Sequence, residues 1–148
     1  MYKATRGSDK ILVTYNCDSN YVHTKNVLLW TAYQLLVAYQ HVYKILVTHG
    51  FRPHLQRLDN RATCTLVSFH GDRWYDFYFT FAHSHHHNTS ERIIHIFKNH
   101  FIIYYVGCNL FFNILLWDKL LPQTLITLNL VWPSHVNLKI FVYVQVHG

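Results

Sequence analysis

Residues 55–60 read LQRLDN, a short apolar run that ends on Asp59, and they decide how the rest of the chain is interpreted. A strand of this kind delivers the next residue to the edge of a sheet, where a carboxylate can bind a hard divalent cation. Glu91, the single glutamate of the sequence, follows 91 − 59 = 32 positions later. A fold that brought these two carboxylates together would hold half of a metal site.

Each of the two carboxylates also has a purely structural interpretation. Asp59, or the asparagine after it, would serve as the N-cap of a following helix. Residues 88–91 (NTSE) have the spacing of a capping box, in which Glu91 bonds back to the cap residue. If Glu91 instead faces a cleft, His95 and Lys98 follow at i+4 and i+7 on the same helix face, where both could meet phosphate.

Strand and helix signals alternate along the chain. Residues 11–15 and 21–25 predict a hairpin around a turn rich in Asp, Ser and Asn. Apolar residues at steps of three, four and seven predict a helix over residues 27–47, which Gly50 ends. We further predict a strand near 54–58, a helix over 60–69, a strand over 75–81, a loop at 84–87 and a helix over 88–106. A last helix should cover residues 113–130. Pro122 should kink or restart this helix, and Pro133 should end it. This order indicates one α/β domain spanning residues 1–148.

Composition favours a basic, reduced, intracellular protein. The 148 residues carry 13 Lys and Arg against 7 Asp and Glu, a formal charge of +6, and 13 histidines add charge in mild acid. Such a surface suits a polyanion without implying sequence-specific recognition. Three widely spaced cysteines without a Cys-x-x-Cys pair predict neither a disulfide framework nor a zinc ribbon, and the first ten residues lack the apolar region of a secretory signal.

Three stretches, residues 26–43, 99–117 and 120–138, contain no Asp, Glu, Lys or Arg and approach the length of about 20 residues that spans a bilayer. Their histidine, glutamine, asparagine and proline residues argue against insertion, so membrane association is the weaker interpretation. The histidines at positions 83 and 85–87 invite a zinc site, but neighbouring loop residues seldom converge on one tetrahedral ion.

Several motifs in order carry a resemblance to a known family. They are residues 55–60 (LQRLDN), 85–92 (HHHNTSER), 97–101 (FKNHF), 116–123 (LWDKLLPQ) and 127–130 (TLNL), with 15–20 and 145–148 fitting the same pattern. This series resembles the integrase catalytic core of LTR-retrotransposon polyproteins of the copia type, over nearly the whole chain.

The resemblance implies a ribonuclease H-like fold, with a mixed sheet flanked by helices, and an activity of DNA cleavage and strand transfer. It implies Asp59 and Glu91 as the second and third of three catalytic, metal-binding carboxylates, which hold Mg²⁺ or Mn²⁺ for in-line phosphoryl displacement. It further implies DNA as partner, Arg92, His95 and Lys98 as DNA-facing residues, a homo-oligomer and a nuclear location.

The first carboxylate of the family has no counterpart in the printed sequence. Its strand would fall before or about Met1 and would normally lie at the centre of the sheet, between the hairpin and the strand at 55–58. We therefore expect an incomplete domain that lacks the first, central strand. Asp18 could stand in for the missing carboxylate, but its surroundings are those of a turn residue.

Most departures from the family pattern correspond to the same type of codon change. His86, His87 and His95 stand where relatives have arginine. Six further departures lie near the C-terminus: Trp132, His135, Leu138, Phe141, Val142 and Val144 replace Arg, Arg, Pro, Ser, Ala and Ala. Each is one C-to-T or G-to-A step in the codon table, whereas Arg61 in place of Glu is not. This pattern favours a decayed, catalytically inactive copy.

Three functional hypotheses follow. The leading one is a relic of a retrotransposon integrase core; the second is a non-enzymatic basic protein that binds nucleic acid by charge; the third is a membrane-associated or non-functional translation product.

Overall fold

The chain folds around a two-stranded antiparallel hairpin. A computed structural model describes residues 4, 7, 10–29, 31–51, 89–108 and 111–147, and the backbone of 55–58 and 76–79. Strand β1 (Lys10–Asn16) pairs with β2 (Tyr21–Val27), so that Tyr15 lies opposite Val22. The hairpin predicted from residues 11–25 is confirmed, and both strands are longer than predicted.

The hairpin turn is closed by side chains that bond to nearby backbone. The Asn16 side-chain oxygen accepts hydrogen bonds from Ser19 N (2.8 Å) and Ser19 Oγ (2.7 Å). Asn20 has a φ of 65°, a left-handed conformation that asparagine adopts more readily than most residues. Its side-chain oxygen accepts a 2.9 Å bond from the Tyr15 hydroxyl. Asn16 and Ser19 therefore make the local bonds that the sequence predicted for this turn.

Helix α1 (Ala32–Thr48) begins later than predicted. Val27, taken as the first helical residue, is instead the last residue of β2, and 1% of its surface is exposed. Thr31 is the N-cap, and its hydroxyl accepts a hydrogen bond from Gln34 N at 3.3 Å. The start was misplaced because the apolar spacing continues back through the strand, whereas the capping threonine marks the true boundary.

A second sheet contains two parallel strands. Strand β3 (Leu55–Leu58) pairs with β4 (Asp76–Phe79), with Leu55 opposite Asp76. Both strands were predicted in these places. Among the described residues, the hairpin and this parallel pair form two separate two-stranded sheets. The expectation of a missing central strand stays a prediction.

Helix α2 (Thr89–Gly107) is the longest helix described and lies within one residue of its predicted position. It buries Ile93, Phe97 and Phe101, which recur at four-residue spacing on one face. The predicted helix over 60–69, the loop at 84–87, the histidine run and the proposed cap Asn88 lie outside the described residues.

The predicted last helix is two helices. A 3₁₀ helix (Ile114–Leu120) precedes helix α3 (Leu121–Val131), and Leu116 has non-helical backbone angles within the first. Pro122 lies in the first turn of α3, where its missing N–H breaks no helical hydrogen bond. The predicted restart at Pro122 is thus confirmed, and α3 ends before Pro133 as expected.

A short C-terminal helix, α4 (Val142–His147), was not predicted. Val142 and Val146 lie one turn apart, and both are almost fully buried. The chain returns to them through a bridge between Pro133 and Phe141. Two apolar residues four apart are too weak a pattern to predict a six-residue helix, since such a helix depends on tertiary packing.

The two faces of the hairpin are covered by different helices. One face carries Val13, Tyr15 and Val22 and packs with α2, the 3₁₀ helix and α3 into a first core. The opposite face carries Tyr21 and packs with α1 and α4 into a second core. The first core contains Ala4, Val22, Ile93, Phe97, Phe101, Trp117, Leu121 and Leu128; the second contains Tyr21, Val42, Leu46, Val142 and Val146. Alternation along the strands thus sorts their side chains between two layers of helices.

Asn129 of α3 pairs with the outer edge of β2. Its side-chain oxygen accepts a 3.0 Å bond from Val22 N, and its amide nitrogen donates to Val22 O at 2.8 Å and to Leu125 O at 3.0 Å. Because 1% of the Asn129 surface is exposed, these bonds are shielded from water. One side chain therefore satisfies both backbone groups of a buried strand residue.

The charge-free stretches do not make membrane-spanning helices in the described part of the chain, where none combines the necessary length and apolar character.

Candidate functional site

Glu91 lies in the first turn of α2, and its side chain is exposed. The buried face of α2, with Ile93 and Phe97 in the first core, fixes the position of this turn. A carboxylate there interacts favourably with the partial positive charge of the helix N-terminus. The structure thus places Glu91 on a firmly anchored helix with its carboxylate at the surface.

The N-terminal turn of α2 lies beside the turn end of β1. Burial raises the pKa of the Tyr15 phenol, the neighbouring Cys17 adds to this increase, and the Arg92 guanidinium opposes it. Tyr15 packs against the first core, to which Ile93 of α2 belongs. Glu91 and Arg92, which precede Ile93, therefore lie near the end of β1 that enters the hairpin turn.

Asp18 is exposed in that turn. The turn is also fixed to the loop before α4, because Cys17 O accepts a 2.9 Å bond from His135 Nδ1 and Pro133 O accepts a 3.0 Å bond from Asn20. Asp18 thus belongs to an ordered turn next to α2. Within the residues that the structure describes, no group of three or more His, Cys, Asp or Glu side chains could hold a metal ion.

Asp59 follows directly on β3, as the sequence predicted, but its own position lies outside the described residues. The described residues therefore contribute one carboxylate, Glu91, to the predicted pair. Carboxylate oxygen is a ligand type that Mg²⁺ accepts, so the chemistry of Glu91 fits the predicted metal. The pairing of Asp59 with Glu91 stays a prediction.

The three predicted DNA-facing residues lie on the exposed side of α2. Arg92, His95 and Lys98 are all exposed, opposite the buried residues of the same helix. The His95 ring lies within hydrogen-bonding distance of the Asn99 amide, 3.3 Å from Nδ1 to Nδ2. Glu91, His95 and Lys98 are thus all exposed on one helix, and their role at a cleft stays a prediction.

Similarity to solved structures establishes the fold. The chain superimposes on the HTLV-2 integrase catalytic core domain, solved in complex with magnesium, with a TM-score of 0.65 for a dimeric form and 0.62 for a trimeric form. The chain has an integrase-core fold. The two matches cover 93% and 94% of this chain and 83% and 93% of the other chains, at 17% and 15% sequence identity. No model of a protein family and no curated protein matches the sequence.

The shared fold is compatible with the ribonuclease H-like class expected from the sequence. At these identities the similarity concerns the fold, and the residue assignments depend on where each side chain lies. Sequence reasoning missed Asn129, which fixes α3 against the hairpin, and Tyr21 and His23, which share one face of β2. The two-residue alternation along β2 was a signal that would have grouped Tyr21 with His23.

Proposed function

We propose that the chain is a relic of an LTR-retrotransposon integrase core of the copia type, which has lost DNA strand transfer. The observation that carries the proposal is the integrase-core fold over 93% of the chain, with Glu91 at the exposed start of a long helix. The assignment to copia-type LTR retrotransposons rests on the ordered motifs that resemble this family. DNA, a homo-oligomer and a nuclear location belong to the same proposal.

In this proposal Asp59 and Glu91 are the remnants of a divalent metal site. Bound Mg²⁺ or Mn²⁺ would supply Lewis-acid stabilisation of charge on phosphate oxygens. The role of this chain is to hold the metal, with Glu91 fixed by the packing of α2. Asp18 is the candidate for the remaining carboxylate.

The departures from the family pattern support loss of activity. Histidine in place of arginine at position 95 removes a permanent positive charge, because histidine is mostly neutral above about pH 6.5. Near the C-terminus, Leu138, Phe141 and Val144 replace smaller or polar residues and are 75%, 52% and 47% exposed. Unselected codon changes can produce such exposed apolar side chains, whereas Val142, from the same set of departures, is buried in the second core.

A disintegration assay tests the loss of activity. The full chain is incubated with a branched DNA substrate in Mg²⁺ or Mn²⁺, beside the Asp59→Asn and Glu91→Gln variants. We expect the wild-type rate to equal those of both variants, because in this proposal the copy has lost its activity. Robust wild-type cleavage that both substitutions abolish would show an active enzyme instead.

Metal binding is tested separately by Mn²⁺ broadening of backbone amide signals. We expect broadening at the start of α2, around Ser90 and Arg92, that Glu91→Gln removes. Asp18→Asn is the matched variant: equal loss of broadening would make Asp18 a third ligand, whereas unchanged broadening would confine the site to Asp59 and Glu91. Broadening that Glu91→Gln leaves intact would contradict the metal assignment.

Charge-driven binding of nucleic acid is the second candidate function. The observation that favours it is the row of exposed residues Arg92, His95 and Lys98 on a chain of formal charge +6. We expect DNA affinity to fall steeply with salt, and Arg92→Ala or Lys98→Ala to reduce the logarithmic salt slope by about 1 each.

Lys139→Ala is the control for this experiment, because Lys139 is exposed on the loop before α4. An unchanged slope in Lys139→Ala would place the contacts on α2. Equal effects of all three substitutions would indicate diffuse attraction by the whole surface. Binding that depends on divalent metal and on Glu91 would favour the first function.

A further inference from the structure

Tyr21 connects two histidines from different parts of the fold. Its hydroxyl lies 3.4 Å from Nδ1 of His23, two residues along β2, and 3.3 Å from Nε2 of His147 in α4. The Tyr21 side chain is itself buried in the second core. The phenol therefore links β2 to the last helix across a sequence separation of 126 residues.

Ring contacts extend this pair into a larger group. The centroids of His23 and His41 are 6.0 Å apart, those of His49 and His147 are 5.1 Å apart, and those of Tyr143 and His147 are 4.7 Å apart. We call these residues the imidazole cluster: Tyr21, His23, His41, His49, Tyr143 and His147. The cluster joins β2, α1, the residue after α1, and α4.

The charged side chains that act on the histidines of the cluster are lysines. Lys25 of β2 and Lys44 of α1 act on its histidines, and α3, which packs against α4, carries no charged side chain. Among the described residues, the groups that perturb these histidines include no carboxylate. Protonation of one imidazole therefore brings repulsion from its neighbours and gains no counter-charge there.

Burial and these neighbours disfavour protonation of His23, His41 and His147 in the folded chain. Burial, His41, Lys25 and His147 together lower the pKa of His23 to about 4. Burial first, and then Lys25 and Lys44, lower the pKa of His41, and burial first, and then His49, lower the pKa of His147. Tyr21 stays protonated, since burial raises its pKa to about 12, so its hydroxyl can donate to only one imidazole at a time.

Helix α4 is the element most easily released. It has six residues and is stable only through packing of Val142 and Val146 in the second core. Its other attachments are a 3.0 Å bond from Val142 N to Trp132 O and a side-chain bond from Ser134 to Gln145. Detachment of α4 would break the contact of His147 with Tyr21 and uncover His23.

We propose that the imidazole cluster is an acid-sensitive latch, which holds α4 against β2 and α1 when His23 and His147 are neutral and releases it when they are protonated. Release would uncover the apolar residues Val42 and Leu46 of α1. This inference is independent of any integrase activity, because it uses neither Asp59 nor Glu91.

The direction of the pH dependence follows from the lowered pKa values. The docked state binds fewer protons than the released state, so docking is fully stabilised above pH 6.5 and weakens as the pH falls toward 4. Lowering one pKa from 6.5 to about 4 corresponds to a change in the docking equilibrium on the order of 10²-fold. That change should be spread over the range between pH 6.5 and pH 4.

Amide hydrogen exchange on the full chain, corrected for the intrinsic rate at each pH, tests the proposal. We expect the open fraction of Val142, Val146 and their helix to rise about 10²-fold between pH 6.5 and 4.5, while Ile93 and Phe97 of α2 stay protected. His23→Gln should reduce this pH dependence at least tenfold. His100→Gln, on α2 and outside the cluster, is the control and should leave it unchanged.

Two results would overturn the latch. One is opening of α4 and α2 together, which would mean general acid unfolding. The other is an unaltered pH dependence in His23→Gln and in His147→Gln. Should His23→Gln fail to fold, His41→Gln on the exposed side of α1 replaces it. The increase in the open fraction of α4 on acidification must then be several-fold smaller in His41→Gln than in wild type.

Discussion

Replacing Asn129 with alanine is expected to lower the free energy of unfolding by about 3 kcal/mol. The substitution leaves the N–H and C=O of Val22 without their partner, at a residue with 0% of its surface exposed. A buried backbone group that loses its hydrogen bond costs about 1–3 kcal/mol, and here two are affected. Urea denaturation followed by circular dichroism measures the change.

Asn99→Ala is the matched control, because Asn99 is also a helical asparagine but is exposed. Both substitutions gain the same helix propensity, so the difference between them isolates the buried bonds. We expect Asn99→Ala to stay within about 0.5 kcal/mol of wild type. Exchange of the Val22 amide should accelerate in Asn129→Ala alone; equal stability of the two variants would mean that Asn129 does not support the strand.

Truncating Trp117 to alanine is expected to have the largest effect of all, about 4 kcal/mol. Trp117 lies in the 3₁₀ helix with 2% of its surface exposed, and its ring meets Phe101 edge-on at 6.2 Å between centroids. Its removal leaves a cavity where α2, α3 and the hairpin meet. Because Phe101 belongs to the helix that carries Glu91, the start of α2 should also lose rigidity.

Phe111→Ala provides the control for this cavity, because Phe111 is an aromatic residue with 93% of its surface exposed. We expect a change within about 0.5 kcal/mol for this variant. Thermal unfolding of both variants gives the comparison. A Trp117→Ala protein as stable as Phe111→Ala would contradict the assignment of Trp117 to the first core.

The regular elements with strong local patterns could be predicted from the sequence. The hairpin followed from two strand-like runs around residues 17–20, and α2 followed from a start at Asn88 and a stop at Gly107. Both signals come from residues that are close together in the sequence. The same holds for the restart at Pro122, which follows from the geometry of proline alone.

The elements that depend on distant contacts could not be predicted. Helix α4 exists because Val142 and Val146 meet Val42 and Leu46, about a hundred positions earlier in the chain. The start of α1 was obscured because Val27 and the helix after it share one apolar spacing across a strand boundary. In both cases tertiary packing outweighs the local pattern.

The candidate site also has features that the sequence could predict and features that it could not. The sequence predicted that Glu91, His95 and Lys98 would share a helix face, and the structure confirms that face because helical periodicity fixes it. The pairing of Asp59 with Glu91 as metal ligands rested on resemblance, since local sequence alone favoured a helix cap for each carboxylate. Asn129 escaped notice because an asparagine in the middle of an apolar helix gives no sign of which strand it will meet.

The pairing of Asn129 with Val22 also bears on self-association. An edge strand with free backbone groups is a template on which a second chain can add its own strand, the first step toward amyloid-like stacking. At Val22 the side-chain amide occupies the two positions that an incoming strand would need. In a chain with many exposed apolar residues, this single amide blocks growth of the sheet near the start of its outer strand.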